Sequence, residues 1–435
     1  MQIAVVGTGF VGVVTAAVFA KLGHTVVGLD IDPAKVTTLN QGKVPFFEPG
    51  LENLLAAALQ AGNLSFTTEY QQAIPTANVV VIAVGTPSSP EGKADTTYVF
   101  SAIDALAPLL AAESVVVIKS TVPPGILTTI RERIAEKTTV PFHLASMPEF
   151  LREGSAVEDT LKPDRIVIGA EDEQTAAILT ELHAPLGSLI VITSPSSAQL
   201  GKYAANSYLA LRIGFINQIA DLCEKTGADV QEVISIIGAD ERIGSHYWYP
   251  GLGYGGSCFP KDVRELSYAS RELGLGETLF VKLNELNMAR PDAIFAHWTE
   301  QVGGWQGKKV AVLGLSFKPN TNDMREAPSV WLIPKLLEAG ATVCGYDPKA
   351  LLEAKAVIGA EDGLTYTEQL DEATKDVDCV IALVEWEQIL QHDFTPVADL
   401  DTKRFFIDAR NQFNPQRIKN LGYQYLGIGR AKEIK

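Results

Sequence analysis

Cysteine is scarce in this sequence, and its scarcity excludes two kinds of scaffold. The 435 residues contain four cysteines, at positions 223, 258, 344 and 379. They are widely spaced and none belongs to a Cys-x-x-Cys pair, which argues against a disulfide framework and against a zinc site. We therefore expect no bound metal, and we expect a protein of the reducing cytoplasm.

Basic residues are few as well. Lys and Arg together number 36 against 52 for Asp and Glu, which gives a net charge of -16. This balance argues against general binding to nucleic acid or to an anionic membrane surface. It does not exclude an anionic small substrate, because a local cationic pocket can exist in an acidic protein.

The sequence has little that resembles a membrane segment. Residues 3–20, IAVVGTGFVGVVTAAVFA, carry no charge over 18 positions, which is near the minimum for a membrane span. No basic residue precedes this run, as a signal peptide would require, and three glycines interrupt it. We predict instead a buried parallel strand, a tight turn and a helix packed on a sheet.

Short apolar runs do alternate with helix-like stretches in the first half of the chain. Candidate strands are Ile3–Val6, Thr25–Leu29, Val79–Val84, Val115–Lys119 and Arg165–Ile168, and candidate helices include Leu51–Gln60 and Ile126–Glu136. This rhythm is typical of a doubly wound parallel sheet, and the chain length suits about three domains.

The same pattern returns near the carboxyl end. MQIAVVGTGFVG followed by GHTVVGLDIDP is echoed by KKVAVLGLSFKP followed by GATVCGYDPKA. We predict an α/β protein with two Rossmann-like doubly wound domains, residues 1–195 and 301–435, joined by a central helical domain, residues 196–300. The alternative is chance similarity between two generic βαβ units.

A long helical pattern without proline links the two halves. It runs from Ser196 to Lys225, with a Ser-Ser pair that suits an N-cap and Gly227 that suits a stop. We predict one long helix that offers a dimer surface. The alternative is two helices broken near Gly214.

The first glycine loop carries the signature of a dinucleotide site. Gly7, Gly9 and Gly12 follow a strand and open a helix, and Asp30 ends the next strand, 18 residues after Gly12. The glycines allow close approach to a pyrophosphate, and the carboxylate accepts hydrogen bonds from the adenosine ribose. A carboxylate there repels a 2′-phosphate, so the pattern favours NAD over NADP. A Rossmann fold without a nucleotide is the alternative.

The second loop is incomplete. GLSFKPNTNDMRE keeps Gly314, lacks the later glycines and adds Lys318 and Arg325. We expect it to bind the phosphate of an anionic substrate, with Asp347 as a possible relic of the nucleotide site.

Cys258 stands in an unusual setting, GLGYGGSCFPKDV. The other three cysteines lie in apolar segments, whereas this one is surrounded by glycines and charges, ahead of a helical pattern over 261–274. A thiolate there could capture an aldehyde and allow a second oxidation through a thioester. The glycines would let the chain pass close to a sugar. A packed small thiol is the alternative.

Other polar residues suit the same chemistry. Lys202 and Asn206 are four apart, so on a helix they share a face and could stabilise an oxyanion, unless that face is merely solvated. Glu149 and Glu153 could act as general bases or be ordinary surface acids. Thr121 could contact cofactor or water, or could cap the helix that follows.

Nine segments together resemble the UDP-glucose/GDP-mannose dehydrogenase family over nearly the whole chain. In chain order they are GTGFVG, PFFEPGL, VGTP, STVPPG, PEFLREG, KYAANSYLA, GLGYGGSCFPKD, FKPNTNDMRE and YDP. GGSCFPKD is highly specific. Met147 and the IDARN segment depart from the commoner family pattern without removing a chemical group.

The resemblance implies the oxidation of a nucleotide-sugar 6-alcohol to an acid, with two NAD and one water. It implies these catalytic residues: Cys258 as nucleophile, Lys202 and Asn206 at the oxyanion, with Lys202 also a candidate base, Asp262 and Thr121 at a catalytic water, and Glu149 in proton transfer. The implied cofactor contacts are Gly7, Gly9, Phe10, Val11, Gly12, Asp30, Lys35, Thr86, Thr121, Glu153 and Arg325. The implied substrate contacts are Phe150, Leu151, Lys202, Asn206, Arg242, Tyr247, Gly255, Lys261, Lys318 and Arg410.

Arg242 matches an arginine that family members donate from a neighbouring subunit, which implies a homodimer. Phe259 favours UDP-glucose as substrate. The alternatives are GDP-mannose or a UDP-N-acetylhexosamine with the same chemistry, a two-electron hydroxyacid dehydrogenase, and a non-catalytic nucleotide-sugar-binding protein.

Overall fold

A mixed eight-stranded sheet organises the first of two units into which the chain divides, residues 1–205 and 206–435. The structure is a computed structural model and describes residues 1–395 and 403–430. The strands are β1 (Gln2–Val6), β2 (Thr25–Leu29), β3 (Leu64–Thr67), β4 (Val79–Ile82), β5 (Ser114–Ile118), β6 (Phe142–Ser146), β7 (Ile166–Ala170) and β8 (Ile190–Thr193). Their order across the sheet is β3-β2-β1-β4-β5-β6-β7-β8.

Helices cover both faces of this sheet. They are α1 (Phe10–Lys21), α2 (Pro33–Asn40), α3 (Leu51–Gln60), α4 (Tyr70–Ala73), α5 (Thr97–Leu106), α6 (Ile126–Ala135), α7 (Ala156–Leu161) and α8 (Glu173–His183). Neighbouring residues of a central strand, such as Val80 and Val81, are both fully buried and belong to opposite cores. Burial on two faces explains why these strands are continuous apolar runs.

The five predicted strands are confirmed, Thr25–Leu29 without change and the other four with ends shifted by one or two residues, but the predicted parallel sheet contains an antiparallel pairing. β7 pairs antiparallel with β6, Ala145 facing Ala170 and Ser146 facing Gly169. The chain therefore enters β7 from the opposite end of the sheet. The remaining neighbours in the sheet are parallel.

The uncharged run at the amino terminus is a strand, a turn and a buried helix, as predicted. Every residue of α1 from Gly12 to Ala20 is buried. A helix that is apolar all round and only 12 residues long belongs to a protein core. Within the described part of the chain, no helix combines the length and apolarity needed to cross a membrane.

The predicted long helix is confirmed as α9 (Pro195–Thr226), a continuous helix of 32 residues, so the alternative of a break near Gly214 is wrong. The predicted cap differs: the Ser194 hydroxyl accepts a hydrogen bond from the Ser197 amide. The predicted end of the helix at Gly227 is confirmed by the positive φ of 77° at this residue and by the hydrogen bond that its amide donates to the Cys223 carbonyl.

The second unit contains helices and a parallel six-stranded sheet. Its helices after α9 are α10 (Val230–Gly238), α11 (Phe259–Glu272), α12 (Leu279–Val302), α13 (Pro328–Glu338), α14 (Leu351–Val357), α15 (Leu370–Thr374), α16 (Glu387–Gln391) and α17 (Pro415–Asn420). Its strands are β9 (Lys309–Leu313), β10 (Thr342–Tyr346), β11 (Leu364–Thr367), β12 (Cys379–Ala382), β13 (Arg404–Asp408) and β14 (Tyr423–Gly427).

These six strands lie in the order β11-β10-β9-β12-β13-β14, which repeats the order of the first six strands of the larger sheet. The sequence echo is therefore a repeat of fold, and chance similarity is excluded. The three domain boundaries remain a prediction, since the chain separates by its internal contacts into two units.

Candidate active site

The glycine loop between β1 and α1 has the geometry that a dinucleotide requires. Gly7 has a φ of 92°, which favours glycine, and a Cβ on Gly12 would stand 1.8 Å from the Gly7 carbonyl oxygen. At Gly9, by contrast, no atom from a residue beyond its chain neighbours lies within 4 Å of the Cβ position. That face of the loop has room for a pyrophosphate beside the amino end of α1, where Phe10 and Val11 form the first turn.

Asp30, at the end of β2, is held in place by the same loop. Its carboxylate accepts hydrogen bonds from the Thr8 amide at 2.9 Å and the Thr8 hydroxyl at 2.7 Å, and Lys35 Nζ lies 2.9 Å away. Burial opposes ionisation, but these partners outweigh it and hold the pKa of Asp30 below its ordinary value. The residue is thus an anion that suits a ribose diol. Sequence reasoning missed Thr8.

Two further predicted residues, Thr86 and Thr121, lie side by side. The Thr86 hydroxyl donates to the Thr121 carbonyl oxygen at 2.8 Å. Thr121 does not cap α6, because that helix begins at Ile126 with Gly125 as its N-cap. The capping alternative is therefore wrong, and Thr121 lies in the loop that follows β5.

Glu149 and Lys202 form a buried ion pair within the first unit. Lys202 Nζ lies 3.0 Å from Glu149 Oε1, and their side chains are 3% and 8% exposed. The other carboxylate oxygen accepts the Leu151 amide at 2.6 Å. Both side chains are buried, so the alternatives of a solvated helix face for Lys202 and an ordinary surface acid for Glu149 are wrong.

The charge of Glu149 is set by opposing effects. Burial would raise its pKa, but Lys202, the Leu151 amide and Lys119 outweigh burial and hold the pKa below its ordinary value. Lys119, at the end of β5, was missed by sequence reasoning. Its removal from water lowers its pKa to about 8 although Glu149 acts in the opposite direction.

The PEFLREG segment, 148–154, is irregular and not helical, so Glu149 and Glu153 do not share a helix face. Glu153 lies half-buried in a turn. Glu48, from PFFEPGL, holds the end of this segment, since its carboxylate accepts the Gly154 and Ala156 amides at 2.6 and 2.7 Å. That motif was noticed in the sequence, but its positioning role was not.

In the second unit, Cys258 lies at the amino end of α11, as predicted. It is the N-cap residue, half-buried, and its carbonyl accepts the Asp262 amide at 2.9 Å. The amino end of a 14-residue helix stabilises a negative charge, and a thiolate is such a charge. The Ser257 hydroxyl lies 3.6 Å from its sulfur.

One turn along α11 from Cys258, Asp262 accepts hydrogen bonds from two other predicted residues, Asn206 and Lys261. Its carboxylate is 1% exposed and accepts Asn206 Nδ2 at 2.6 Å through one oxygen and Lys261 Nζ at 2.6 Å through the other. A buried carboxylate with a cation and an amide on it is fixed in position. The solvated-face alternative is therefore wrong for Asn206, which is 7% exposed.

The loop before Cys258 is held by residues that the sequence did not reveal. Asn287 of α12 accepts the Tyr254 amide at 2.9 Å and donates to the Tyr254 carbonyl at 3.0 Å. Asn217 of α9 accepts the Gly251 amide at 2.9 Å, and Arg290 donates to the Gly251 carbonyl at 2.5 Å. An amide or guanidinium on a helix gives no sequence signal that it fixes a distant loop.

The glycines of this loop have a packing role that the sequence did not reveal, and their approach to a sugar remains a prediction. A Cβ on Gly253 would stand 2.6 Å from Asn287 Oδ1, and one on Gly255 would stand 2.2 Å from the Glu326 carbonyl oxygen. A Cβ on Gly256 would meet the Phe317 ring at 2.6 Å. These glycines are needed for packing against protein neighbours, and the expectation that they make way for a sugar is not needed to explain them.

The second unit also brings predicted substrate residues to the cysteine loop. Arg410 donates to the carbonyl oxygens of Leu383 and Phe317 at 3.1 and 3.2 Å. A Cβ on Gly251 would stand 3.4 Å from its Nη1 atom. Lys318 follows Phe317 and lies half-buried above that ring. The Arg325 carbonyl accepts the Gly256 amide at 3.1 Å, so Arg325 borders the loop as well.

Tyr247 and Arg242 differ in setting. Tyr247 has a φ of 65° and its ring lies 6.3 Å from that of Phe259, next to Cys258. Arg242 is 89% exposed and pairs with Asp240 at 2.7 Å. An exposed guanidinium on a short loop is consistent with a contact outside the chain, and its donation to a partner remains a prediction.

Sequence comparison agrees with these features along the whole chain. Family models described as the NAD binding, central and UDP binding domains of the UDP-glucose/GDP-mannose dehydrogenase family match residues 1–187, 196–289 and 311–415. The UDP-glucose 6-dehydrogenase of Rhizobium meliloti is 41% identical over 99% of this chain and 100% of its own length. UDP-glucose 6-dehydrogenase TuaD of Bacillus subtilis is 40% identical over 99% of this chain and 93% of its own length.

A solved structure gives the same result. The UDP-glucose dehydrogenase of the archaeon Pyrobaculum islandicum matches with a TM-score of 0.88 and 40% identity, covering 99% of this chain and 95% of that one. The first Rossmann-like sheet and its glycine loop are therefore an NAD site, and NAD is the cofactor. With all three of its segments matched and both sheets in place, the chain is an oxidoreductase that belongs to the UDP-glucose/GDP-mannose dehydrogenase family.

Proposed function

We propose that this protein oxidises the 6-alcohol of UDP-glucose to the carboxylate of UDP-glucuronate, with two NAD and one water, through a thioester on Cys258. The observation that carries the proposal is the position of Cys258 at the amino end of α11, one turn before the Asp262 carboxylate that holds Asn206 and Lys261. A two-electron dehydrogenase has no need of a thiol in such a setting.

NAD held by the first glycine loop and Asp30 would supply the hydride acceptor for each of the two oxidations. After the first, the Cys258 thiolate adds to the aldehyde carbon, a C–S bond forms, and the carbonyl electron pair moves to oxygen, which takes a proton. Loss of the remaining hydride from that carbon, with loss of the hydroxyl proton, gives the thioester. Water then adds to the thioester carbon, the C–S bond breaks, and the thiolate leaves.

Lys202 acts as an electrostatic group in this scheme. Its Nζ lies 3.0 Å from the Glu149 carboxylate, and an ammonium there can stabilise a developing oxyanion, while Lys202 also stays a candidate base. Asn206 donates an amide hydrogen to the same developing oxyanion. Glu149 is ionised because its pKa is lowered, so it can take a proton during thioester hydrolysis.

Asp262 and Thr121 position the hydrolytic water. The Asp262 carboxylate is fixed by two short hydrogen bonds, and a fixed acceptor orients a water more effectively than a mobile one. Lys261 stays close to that carboxylate and contacts substrate.

The nucleotide part of the substrate binds to the second sheet. Lys318 and Arg410 contact the diphosphate or uridine, and the support is that Arg410 bonds to the backbone of Phe317, the residue before Lys318. Phe150, Leu151, Tyr247 and Gly255 contact the sugar. Glu153, Thr86 and Arg325 contact NAD.

A homodimer completes the site in this proposal. Tyr208, Phe215 and Leu222 recur every seven residues along α9 and are 58%, 50% and 59% exposed. An apolar stripe of this kind is typical of a helix that packs on another copy. Arg242 is the residue donated to the partner. No disulfide joins the four cysteines, all within the described residues, which supports a cytoplasmic location.

Stoichiometry tests the proposal directly. The protein is mixed with excess NAD and a limiting amount of UDP-glucose, GDP-mannose or a UDP-N-acetylhexosamine, and NADH formed per sugar consumed is measured. Two NADH per UDP-glucose, with the other sugars much slower, is the expected result. Two NADH with another sugar would correct the substrate, and one or none with every sugar would refute the four-electron chemistry.

A further inference from the structure

The first unit contains a cavity that borders the predicted catalytic residue Glu149 and the predicted sugar contacts Phe150 and Leu151. Its volume is about 300 Å³, and all of its lining residues belong to this unit. Phe19, Met147, Leu151, Ile166 and Leu186 supply apolar walls. A concave site of this size with apolar walls and a few polar groups is typical of a small-molecule site.

The cavity is lined by four basic and four acidic side chains, which differ in how they are paired and exposed. Arg152 is paired with Asp159 at 2.6 Å, and the Glu149 carboxylate is bonded to Lys202. Three further lining charges, at positions 158, 162 and 164, belong to exposed residues at the rim. The interior charges that remain are those of Lys119 and Arg165, and both are cations.

Lys119 and Arg165 are both short of acceptors. Within residues 1–395 and 403–430, the Lys119 ammonium makes no hydrogen bond and no ion pair, although it feels the Glu149 charge. The contact found for the Arg165 guanidinium is the face of the Phe150 ring, 3.7 Å from its central carbon to the ring centroid. Stacking occupies the face of a guanidinium and leaves its N–H edge to an acceptor.

The remaining polar groups do not compete for this role. His183 lines the cavity, and burial lowers its pKa to about 4, so the ring is neutral at pH 7. The Thr15 hydroxyl already donates to the Val11 carbonyl at 2.7 Å. The interior of the cavity thus offers two cationic donors to an incoming group.

We propose that this cavity binds a small organic anion, with a carboxylate or phosphate group on Lys119 and Arg165 and an apolar body against Phe19, Leu151 and Leu186. Arginine presents parallel N–H bonds that match the two oxygens of either group. The Phe150 ring that contacts Arg165 also contacts the predicted catalytic residue Lys202, whose Nζ is 5.4 Å from the ring centroid. The test of this site measures binding alone, so its outcome can be told apart from that of the reaction proposed above.

Binding to the full-length protein tests this proposal without any measurement of activity. Benzoate, phenyl phosphate, inorganic phosphate and the neutral isostere benzamide are titrated calorimetrically at fixed ionic strength in a phosphate-free buffer. We expect benzoate or phenyl phosphate to bind with one site per chain and about tenfold or more tighter than benzamide. Comparison of the two anions identifies the preferred head group. Equal affinity for benzamide, or absence of binding by both aromatic anions, would overturn the proposal.

Variants locate the site. Arg165→Gln and Lys119→Met should each weaken binding of the preferred anion by about tenfold, and Arg165→Lys should weaken it less. The rim cation Lys162 is the matched control, and Lys162→Gln should change the affinity by less than about twofold. Unchanged binding in both interior variants would contradict the assignment.

Crystals provide a measurement that does not depend on how the variants fold. A crystal of the wild-type protein is soaked in 4-iodobenzoate, and the anomalous signal of iodine is mapped. A peak inside the cavity supports the site, and peaks confined to other places refute it.

Discussion

The two Rossmann-like sheets share a strand order and a carboxylate at the end of the second strand, but they use that carboxylate differently. Asp30 in the first sheet accepts hydrogen bonds from Thr8, Asp32 and Lys35, and Lys35 is partly exposed. Asp347 in the second is 1% exposed. Its carboxylate accepts hydrogen bonds from the amides of Leu315, Ser316, Lys349 and Ala350, the Ser316 hydroxyl and the Trp386 indole.

The glycine loops differ at the corresponding position. Gly9 leaves open space, whereas Ser316, its counterpart, is fully buried and donates its hydroxyl to Asp347 at 3.1 Å. The following helix also starts later, because α13 begins at Pro328 and α1 begins at Phe10. The second loop therefore lacks the open face and the adjacent helix terminus with which the first loop suits the pyrophosphate of a dinucleotide. The shared fold offers a dinucleotide loop in one copy, and in the other copy the predicted nucleotide-sugar contacts are Lys318 and Arg410 instead.

The largest effect on stability should come from removing the buried carboxylate of Asp347. Asp347→Ala removes the acceptor shared by six donors, most of them buried, so we expect it to lower the free energy of unfolding by about 4 kcal/mol or more. Asp30→Ala should lower it by about 2 kcal/mol, because fewer donors depend on it. Urea unfolding followed by tryptophan fluorescence measures both. Equal losses would show that Asp30 is as structural as Asp347.

The next largest effect should come from exchanging the residues that differ between the two loops, Gly9 and Ser316. Gly9→Ser places a side chain in the open face of the first loop and should weaken NAD binding about 100-fold. The reverse change, Ser316→Gly, should leave NAD affinity within about twofold and lower stability only. Calorimetric titration with NAD distinguishes the two. Tight NAD binding by Gly9→Ser would contradict the role given to the open face.

A third prediction compares acid sensitivity in the two units. Burial lowers the pKa of His183 in the first unit to about 4, and burial raises the pKa of Asp408 in the second. The unfolded chain binds the histidine proton more tightly, so the His183 contribution to stability is lost as the pH falls from 6.5 towards 4. The contribution of Asp408 to the pH dependence of stability has the opposite sign, because the folded protein holds the Asp408 proton more tightly than the unfolded chain does.

Between pH 7.5 and pH 5, we therefore expect the free energy of unfolding of the wild type to fall by about 2 kcal/mol more than that of His183→Gln. His143→Gln, which changes a less buried histidine, is the control and should follow wild type. Thermal or urea unfolding across this pH range measures the difference. Parallel curves for wild type and His183→Gln would refute the assignment.

The smallest effect concerns the cysteine loop. Asn287→Ala removes both hydrogen bonds to Tyr254 and should lower kcat about tenfold, with a smaller change in KM. The rate of Cys258 alkylation by iodoacetamide should change too, while that of Cys344 should not. Asn284→Ala, on the same helix, is the control. Normal kcat and normal alkylation in Asn287→Ala would remove Asn287 from the positioning residues.

The sequence predicted what local patterns encode. The apolar runs predicted five strands, the glycine spacing predicted the NAD loop, and the unusual neighbours of Cys258 predicted its place at a helix start. The absence of glycine at Ser316 predicted that the second loop differs. Each of these features depends on residues close together in the chain.

Contacts between distant segments were not predictable in the same way. Asn287 holds Tyr254 across 33 residues, Glu48 holds Ala156 across 108, and Lys119 reaches the Glu149 pair. The antiparallel pairing of β6 and β7 also depends on the path of the chain between them. The packing of Phe317 and Glu326 against the glycines before Cys258 likewise leaves no trace in the local sequence.

The central claim is that Cys258 carries the sugar as a thioester between oxidation and hydrolysis. The most direct test is mass spectrometry of the acid-quenched protein after milliseconds of reaction with UDP-glucose and NAD, using wild type, Asp262→Asn and Cys258→Ala. We expect a nucleotide-sugar acyl adduct on the Cys258 peptide, more abundant in Asp262→Asn because hydrolysis is slowed, and none in Cys258→Ala. Formation of two NADH per sugar by Cys258→Ala, or turnover of wild type with no adduct on Cys258 and release of free aldehyde, would contradict it.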